Sequence, residues 1–210
     1  MVAALFVAKG GCYFGIDGVD PWDEERDARK YAGPWPVVAH PPCERWSSQW
    51  HGCRPIGHPK RGILGDDGGC FEAALGKVRH LGGVIEHPAR SRAWRYFGLP
   101  IPSPHGGWIK EPYPSVYTAG VGYSCYVEQG HYGHLLAKPT LLYYVGHMAP
   151  PSLAWGQSGK PKMDRRPSRR RLGEDARALC DRGGERAATP VEFRDVLISI
   201  ASSALANEAA

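Results

Sequence analysis

Short apolar segments that end close to glycine or proline constrain the fold of this chain more than any other feature. Four of them occupy residues 3–8, 35–39, 84–86 and 140–146, and an alternating run occupies residues 124–129. Runs of this length, bounded by chain-breaking residues, are typical of strands. Two segments with helical periodicity accompany them. Strands interspersed with helices predict an α/β fold built on one open sheet, here with long loops rich in glycine, proline and aromatic residues.

The two predicted helices have recognisable starts. In residues 70–81, Phe71, Leu75 and Val78 share one face, and two aspartates precede the segment as candidate caps. The second helix covers residues 190–206 and begins with the sequence TPVE. There the threonine and glutamate match a capping box, and proline occupies the first helical position. Both segments are therefore expected to pack one apolar face on the sheet.

Length and composition bound the domain organisation. A chain of 210 residues with 42% hydrophobic and 22% charged residues suits one globular domain and excludes wholesale disorder. We expect an α/β domain at residues 1–150, a basic, loop-rich segment at 151–188, and a C-terminal helix at 189–210 that packs on the same domain. The helix and strand patterns define these boundaries.

The pattern of apolar segments and the cysteine usage both indicate the cellular compartment. No apolar run reaches the roughly 18–20 residues that a membrane span needs. The apolar N-terminus lacks the basic start of a signal peptide and is better explained as a first strand. The six cysteines show no C-x-x-C spacing, which favours reduced thiols. The sequence therefore predicts a cytoplasmic protein with no membrane partner.

Loops that follow strands bind ligands in open α/β sheets, and here they contain the reactive residue types. The loop after residues 35–39 reads HPPCERWS, and its Pro-Pro turn would hold Cys43 at a fixed position, as a nucleophile requires. His40 or Arg45 could lower the thiol pKa. A structural cysteine in a proline turn is the alternative interpretation.

Two other strand ends carry candidate residues. Glu86 ends a predicted strand, so its carboxylate could face Cys43 and exchange a proton with a bound base. Gly10 and Gly11 follow the first strand and could bring the backbone close to a nucleotide, with Asp23 binding ribose hydroxyls. A simple hairpin turn at the glycines is equally compatible with the sequence.

In their order along the chain, these motifs resemble those of the DNA cytosine-5 methyltransferases, in particular small divergent phage or prophage members. The similar segments are ALFVAKGG at 4–11, Asp23 with Ala28 and Tyr31, Pro42-Cys43 with Ser47, Glu86-His87-Pro88, and YGHLLAKPTLLYYVG at 132–146. The first segment has Ala4 where the family has aspartate. The last lacks the glutamine and arginines of the family's late motif.

The resemblance implies a Rossmann-like, S-adenosylmethionine-methyltransferase-like sheet that methylates cytosine in DNA. Cys43 would attack C6 of a flipped-out cytosine, and Glu86 would bind the base. The residues implied to bind S-adenosylmethionine are Phe6, Gly10, Gly11, Asp23 and Pro41. Those implied to contact the base or the DNA are His40, Pro42, Arg45, Trp46, Ser47, His87, Gln129, His131 and Lys138. The basic segment 160–171 would bind phosphates.

The sequence is also compatible with other functions, and the net charge of +5 suits a polyanionic partner in each of them. The chain could transfer a different group, or bind DNA without catalysis. It could also be a zinc-binding nucleic-acid module, because six cysteines and histidines cluster in one loop-rich region. These are His40, Cys43, His51, Cys53, His58 and Cys70.

Overall fold

The computed structural model describes residues 1–52, 55–59, 61–112, 119–162 and 188–204. The strands are β1 (Val2–Leu5), β2 (Val19–Trp22), β3 (Val37–Ala39), β4 (Gly83–Pro88), β5 (Trp108–Lys110), β6 (Val121–Glu128) and β7 (Pro139–Gly146). The helices are α1 (Cys70–Leu81), α2 (Ala93–Tyr96) and α3 (Val191–Ser203). The chain is therefore mixed α/β, as its sequence pattern predicts.

All seven strands form one sheet in the order β2-β1-β3-β4-β7-β6-β5. The first four strands of this order are parallel. β7 is antiparallel to both β4 and β6, and β5 is antiparallel to β6. Because β1 pairs with β2 on one side and with β3 on the other, the strand order reverses between β1 and β3. In open α/β sheets such a reversal leaves a crevice at the carboxyl ends of the strands.

The sheet has an apolar core on each face because successive strand residues point to opposite sides. On one face, Leu5, Ala39 and Ile85 pack with α1. On the other face, Ala4 and Val84 pack with α3. The largest helix side chains in these two cores are Phe71 and Phe193, both fully buried. Complete burial of one such side chain stabilises the fold by about 1.5–3 kcal/mol.

Most predicted elements are present, with some differences in extent. The helix predicted at residues 70–81 is confirmed as Cys70–Leu81. The C-terminal helix begins one residue later than predicted, and residues 205–206 lie outside the described part. The charged stretch after β2 forms only a short 3-10 turn, Ala28–Lys30. The sequence pattern did not predict α2 or β5. Of the predicted phosphate-binding segment 160–171, only residues 160–162 belong to the described part of the chain. No helix within the described ranges is long and apolar enough to cross a bilayer.

Candidate active site

Strand register places the candidate catalytic groups on one face of the sheet. β3 and β4 align Val38 with Val84 and Ala39 with Ile85, so His40 follows in register with Glu86. Side chains two residues apart in a strand share a face, so His40 and Glu86 point to the same face as Val38 and Val84, the face that α3 covers. The backbone N–H of His40 also donates to the carbonyl of Leu5, which ties the ends of β3 and β1 together at 3.0 Å.

Five side chains form a continuous hydrogen-bonded chain across these strand ends. The Tyr13 hydroxyl lies 2.8 Å from His40 Nε2, and His40 Nδ1 lies 3.1 Å from Glu86 Oε2. Gln129 Nε2 donates to Glu86 Oε1 at 2.9 Å and to Thr140 Oγ1 at 3.0 Å. These two acceptors fix the amide orientation of Gln129, whose buried Oε1 has no hydrogen-bond partner among the described residues. Both carboxylate oxygens of Glu86 are thus held by neighbours.

The Glu86 carboxylate is ionised in this environment. Burial alone raises its pKa, but the hydrogen bond and charge of His40 outweigh that effect, with smaller contributions from Lys138 and His87. The net result is a pKa below the usual value for glutamate. An ionised carboxylate only accepts hydrogen bonds, and its lone pairs allow it to accept more than the two bonds already made. Glu86 is therefore an acceptor for a donor group on a ligand.

Cys43 lies three residues beyond His40, at the start of a 3-10 turn over Glu44–Trp46. The residue is exposed, yet partial burial of its thiol raises the pKa, and the negative charge of Glu86 adds to the rise. The positive charge of Lys138 opposes it. These electrostatic effects show that Cys43, Glu86 and Lys138 belong to one neighbourhood. The thiol is protonated at neutral pH in the resting chain.

Lys138 enters the site from the turn between β6 and β7. Its backbone adopts a left-handed conformation, φ +41°, and its Nζ donates to the carbonyl of Ala188 at 2.7 Å. Burial lowers the Lys138 pKa, and the charges of Glu86, Cys43 and Cys12 counteract that effect. The lysine side chain therefore supplies positive charge beside two candidate catalytic groups.

Helix α3 supports the loop that carries Tyr13. Arg194 in α3 donates from its guanidinium to the carbonyl of Cys12 at 2.8 Å, across 182 residues of sequence. Tyr13 itself is 3% exposed and packs in the core beneath this helix. The position of the Tyr13 hydroxyl against His40 consequently depends on the C-terminal helix.

Two residues predicted to contact the base are instead buried on the α1 side of the sheet. His87 follows Glu86 in β4, so its side chain points to the opposite face, where it is 1% exposed beside Phe71 and Trp94. Trp46 is 2% exposed, and its Nε1 donates to Asp67 at 2.8 Å. The structure thus gives both rings core neighbours and does not bring them to the Cys43 surface.

Four further predicted substrate residues make local contacts around the site. Arg45 donates to the carbonyl of Trp50 at 3.1 Å, and the Ser47 hydroxyl donates to the carbonyl of Glu44 at 3.0 Å. Pro42 is exposed beside Cys43. His131, in the 3-10 turn after β6, has its Nε2 3.2 Å from the carbonyl of Gly156.

A cavity of about 380 Å³ lies at the ends of β1 and β2. It is lined by Val7, Ala8, Lys9, Asp23, Glu24 and Glu25. Strand ends in a sheet are about 4.8 Å apart, so this cavity lies roughly 10 Å from the end of β3. Its volume is within the range of small-molecule sites.

The predicted cofactor residues relate to this cavity in different ways. Asp23 lines it, is 6% exposed and accepts a hydrogen bond from the backbone of Arg26. Phe6 precedes the lining residues in an unusual left-handed conformation, φ +58°, which places strain at the end of β1. Gly10, at φ +65°, and Gly11 form a tight turn beyond them, and a side chain at Gly11 would collide with the carbonyl of Ala8. Pro41 is buried between His40 and Pro42.

The zinc alternative gains no geometric support from the described residues. Across residues 1–52, 55–59, 61–112, 119–162 and 188–204, no three His, Cys, Asp or Glu side chains are arranged to hold a metal ion. Cys53, one of the six proposed ligands, lies outside these ranges.

Sequence reasoning missed Tyr13 and Thr140 as members of the site. Tyr13 lies in the glycine loop that was singled out for cofactor binding, but no sequence pattern marked it, because only the fold buries its hydroxyl against His40. Thr140 opens the β-rich run of β7, where only its position beside Lys138 pointed to the site.

No protein-family model, no curated protein and no solved structure matches this chain.

Proposed function

We propose that this chain is a DNA (cytosine-5)-methyltransferase-like enzyme of Rossmann-like fold, in which Cys43 is the nucleophile and Glu86 binds the base. The observation that carries the proposal is the network of His40, Glu86 and Gln129 beside Cys43, assembled from the ends of β3, β4 and β6. The reversal of strand order between β1 and β3 supports it as well, because it puts a crevice next to the same strand ends.

The chemistry of the base fits an acceptor at Glu86. Cytosine offers an exocyclic amino group, a hydrogen-bond donor, whereas thymine offers a carbonyl oxygen at the same position. An ionised Glu86, held by His40 and Gln129, accepts from the amino group and disfavours the carbonyl. The preference for cytosine therefore follows from the charge state of one half-buried carboxylate.

Nucleophilic attack would begin at Cys43. The Cys43 thiol gives its proton to water, its sulfur bonds to C6 of the extruded cytosine, and the electron pair of the C5–C6 double bond moves to C5. After C5 has been methylated, water would take the C5 proton, the C5–C6 double bond would re-form, and the sulfur would leave C6 as a thiolate. Lys138 favours the thiolate because its charge lowers the Cys43 pKa. The base has to leave the duplex, because C5 and C6 are otherwise stacked.

The cavity at β1 and β2 suits a methyl donor with a positive charge. Its lining contains three carboxylates, Asp23, Glu24 and Glu25, and one lysine, Lys9, which pairs with Glu25 at 2.6 Å. This excess of negative charge attracts a sulfonium and repels phosphate groups. Asp23 follows β2 directly, the position from which an acidic residue binds ribose hydroxyls in dinucleotide folds. When bound there, S-adenosylmethionine would supply the methyl group.

A second candidate function is DNA binding without catalysis. The raised pKa of Cys43 favours it, because a protonated thiol is a poor nucleophile. The two functions differ in whether a covalent change depends on this sulfur.

The test is methyl transfer to duplexes of randomised sequence, which contain every short target site. Purified protein is incubated with S-adenosylmethionine carrying a labelled methyl group, and the nucleosides are analysed by mass spectrometry. We expect labelled 5-methylcytosine with the wild type and with Cys70→Ser, a matched control on the α1 side of the sheet, and none with Cys43→Ser. Label in the Cys43→Ser sample would refute the nucleophile. The absence of label from every sample would favour the second candidate.

A further inference from the structure

Two segments that follow the site strands concentrate positive charge. Residues 45–65 follow β3. Residues 87–110 begin with the last two residues of β4 and extend to the end of β5. Together they contain eight Lys or Arg residues and no Asp or Glu, which leaves 18 basic and 21 acidic residues for the remainder of the chain. The two segments thus carry a larger positive excess than the whole chain, whose net charge is +5.

Hydrogen bonds and ring contacts join these two segments into one surface beside Cys43. The backbone N–H of Arg92 donates to the carbonyl of Trp46 at 2.8 Å, which fixes the loop after β4 against the turn after Cys43. The Arg45 guanidinium contacts the carbonyl of Trp50, and Arg61 lies over the Trp50 ring at 5.2 Å. Both loops therefore extend from the strand ends that hold the candidate site.

The arginines of the second segment are directed to solvent. Arg90, Arg92 and Arg95 are exposed, and no carboxylate in the described part of the chain forms an ion pair with any of them. In contrast, the exposed Arg26 and Arg29 each pair with an aspartate. Next to the three arginines, Tyr96 is 65% exposed and packs edge-on against Trp46, at 5.2 Å between ring centroids.

We propose that Arg90, Arg92 and Arg95, with Arg45 and Arg61 beside them, form the surface that binds the phosphate backbone of duplex DNA. Guanidinium groups bind phosphate oxygens through paired hydrogen bonds, and the two segments themselves contain no acidic side chain that would repel a polyanion. The inference rests on the proposed function, because it assigns a binding surface to the DNA that the reaction requires. It also assigns this role to residues outside the basic segment 160–171.

The experiment measures DNA binding without catalysis. A fluorescein-labelled 30-base-pair duplex is titrated by fluorescence anisotropy at 50–200 mM KCl with the wild type and with a triple variant, Arg90→Gln, Arg92→Gln and Arg95→Gln. If each arginine neutralises one phosphate, the slope of log K against log salt concentration decreases by up to about 2.7, since each contact contributes about 0.9. We expect the affinity at 100 mM KCl to fall about tenfold or more.

Two further variants separate charge placement from general effects. Arg29→Gln, Lys30→Gln and Lys77→Gln together remove the same charge from the region of α1 and should retain wild-type affinity. Replacing Arg90, Arg92 and Arg95 with lysine should restore most of the salt-dependent binding, because the charges return. Thermal unfolding of all variants shows that the fold is retained.

The outcomes distinguish this inference from the proposed function. Wild-type affinity and slope in the triple glutamine variant, an equal loss in the α1-side control, or no binding by the wild type would overturn the DNA-binding surface. Cys43-dependent methylation with unchanged binding by the triple variant would leave the function standing without this surface. Loss of binding in the triple variant, with methyl transfer in no sample, would support the surface and favour DNA binding without catalysis.

Discussion

Replacing His87 with phenylalanine should make the protein less sensitive to acid. The His87 ring is 1% exposed, is nearly parallel to Trp94 with centroids 6.3 Å apart, and meets Phe71 edge-on at 5.2 Å. Burial lowers its pKa from 6.5 to about 4, and the opposing effects of Glu86 and the Pro42 backbone are smaller. A phenyl ring fits the same aromatic surroundings and takes up no proton.

The magnitude follows from the two pKa values. The difference between 6.5 and about 4 corresponds to about 3 kcal/mol of folding free energy. Because the folded pKa is the lower one, the unfolded chain binds more protons between these values, and stability decreases as the pH falls through this window. Between pH 7 and pH 4 the wild type should therefore lose up to about 3 kcal/mol more stability than His87→Phe.

Urea unfolding at pH 7, 5.5 and 4 measures this difference. His80→Gln, which alters an exposed histidine of α1, serves as the control and should follow the wild type. Equal pH dependence in the wild type and His87→Phe, or a His87 pKa near 6.5 by NMR, would contradict the buried placement. Unchanged stability combined with loss of DNA binding in His87→Phe would instead indicate the base contact that the sequence predicts.

Three other changes test the site and its support. His40→Leu should raise the pKa of Glu86 and cost about 1–3 kcal/mol at pH 7 by removing a charged hydrogen bond. The ionised Glu86 stabilises the fold above its unfolded pKa of about 4.3 and loses this effect as the pH falls through its lowered folded pKa. The urea midpoints of variant and wild type should therefore converge once the pH is below that folded pKa. Lys138→Met should raise the Cys43 pKa further, and slower alkylation of that thiol by iodoacetamide at pH 8 would show this; equal or faster alkylation would contradict it. Trp46→Phe should lower stability by about 1.5–3 kcal/mol through loss of its bond to a carboxylate, and calorimetry that shows no change would exclude the core role.

Patterns confined to neighbouring residues were sufficient to predict much of the fold. The residues of α1 show their apolar face over three turns, and β7 is an unbroken β-rich run, so both are recognisable without tertiary information. β5 is different, because Trp108 and its neighbours become a strand only through pairing with β6. The four-residue helix α2 is likewise too short to show a period.

The candidate site was predictable in its residue types but not in its geometry. Cys43 and Glu86 stand at strand ends, and the order of the motifs was enough to single them out. The sequence also grouped His87 with Glu86, although adjacent strand residues point to opposite faces. Tyr13 reaches His40 only because the glycine loop folds under α3, a contact that no local pattern encodes.

The bond between Arg194 and the carbonyl of Cys12 also has a consequence for biosynthesis. Ribosomes add about 5–20 residues per second, so roughly 10–35 seconds separate the emergence of these two partners. During that interval the nascent sheet displays the apolar face that α3 later covers, including Ala4 and Val84. Until translation has supplied this helix, the newly made chain offers chaperones an uncovered hydrophobic surface and an unfinished candidate site.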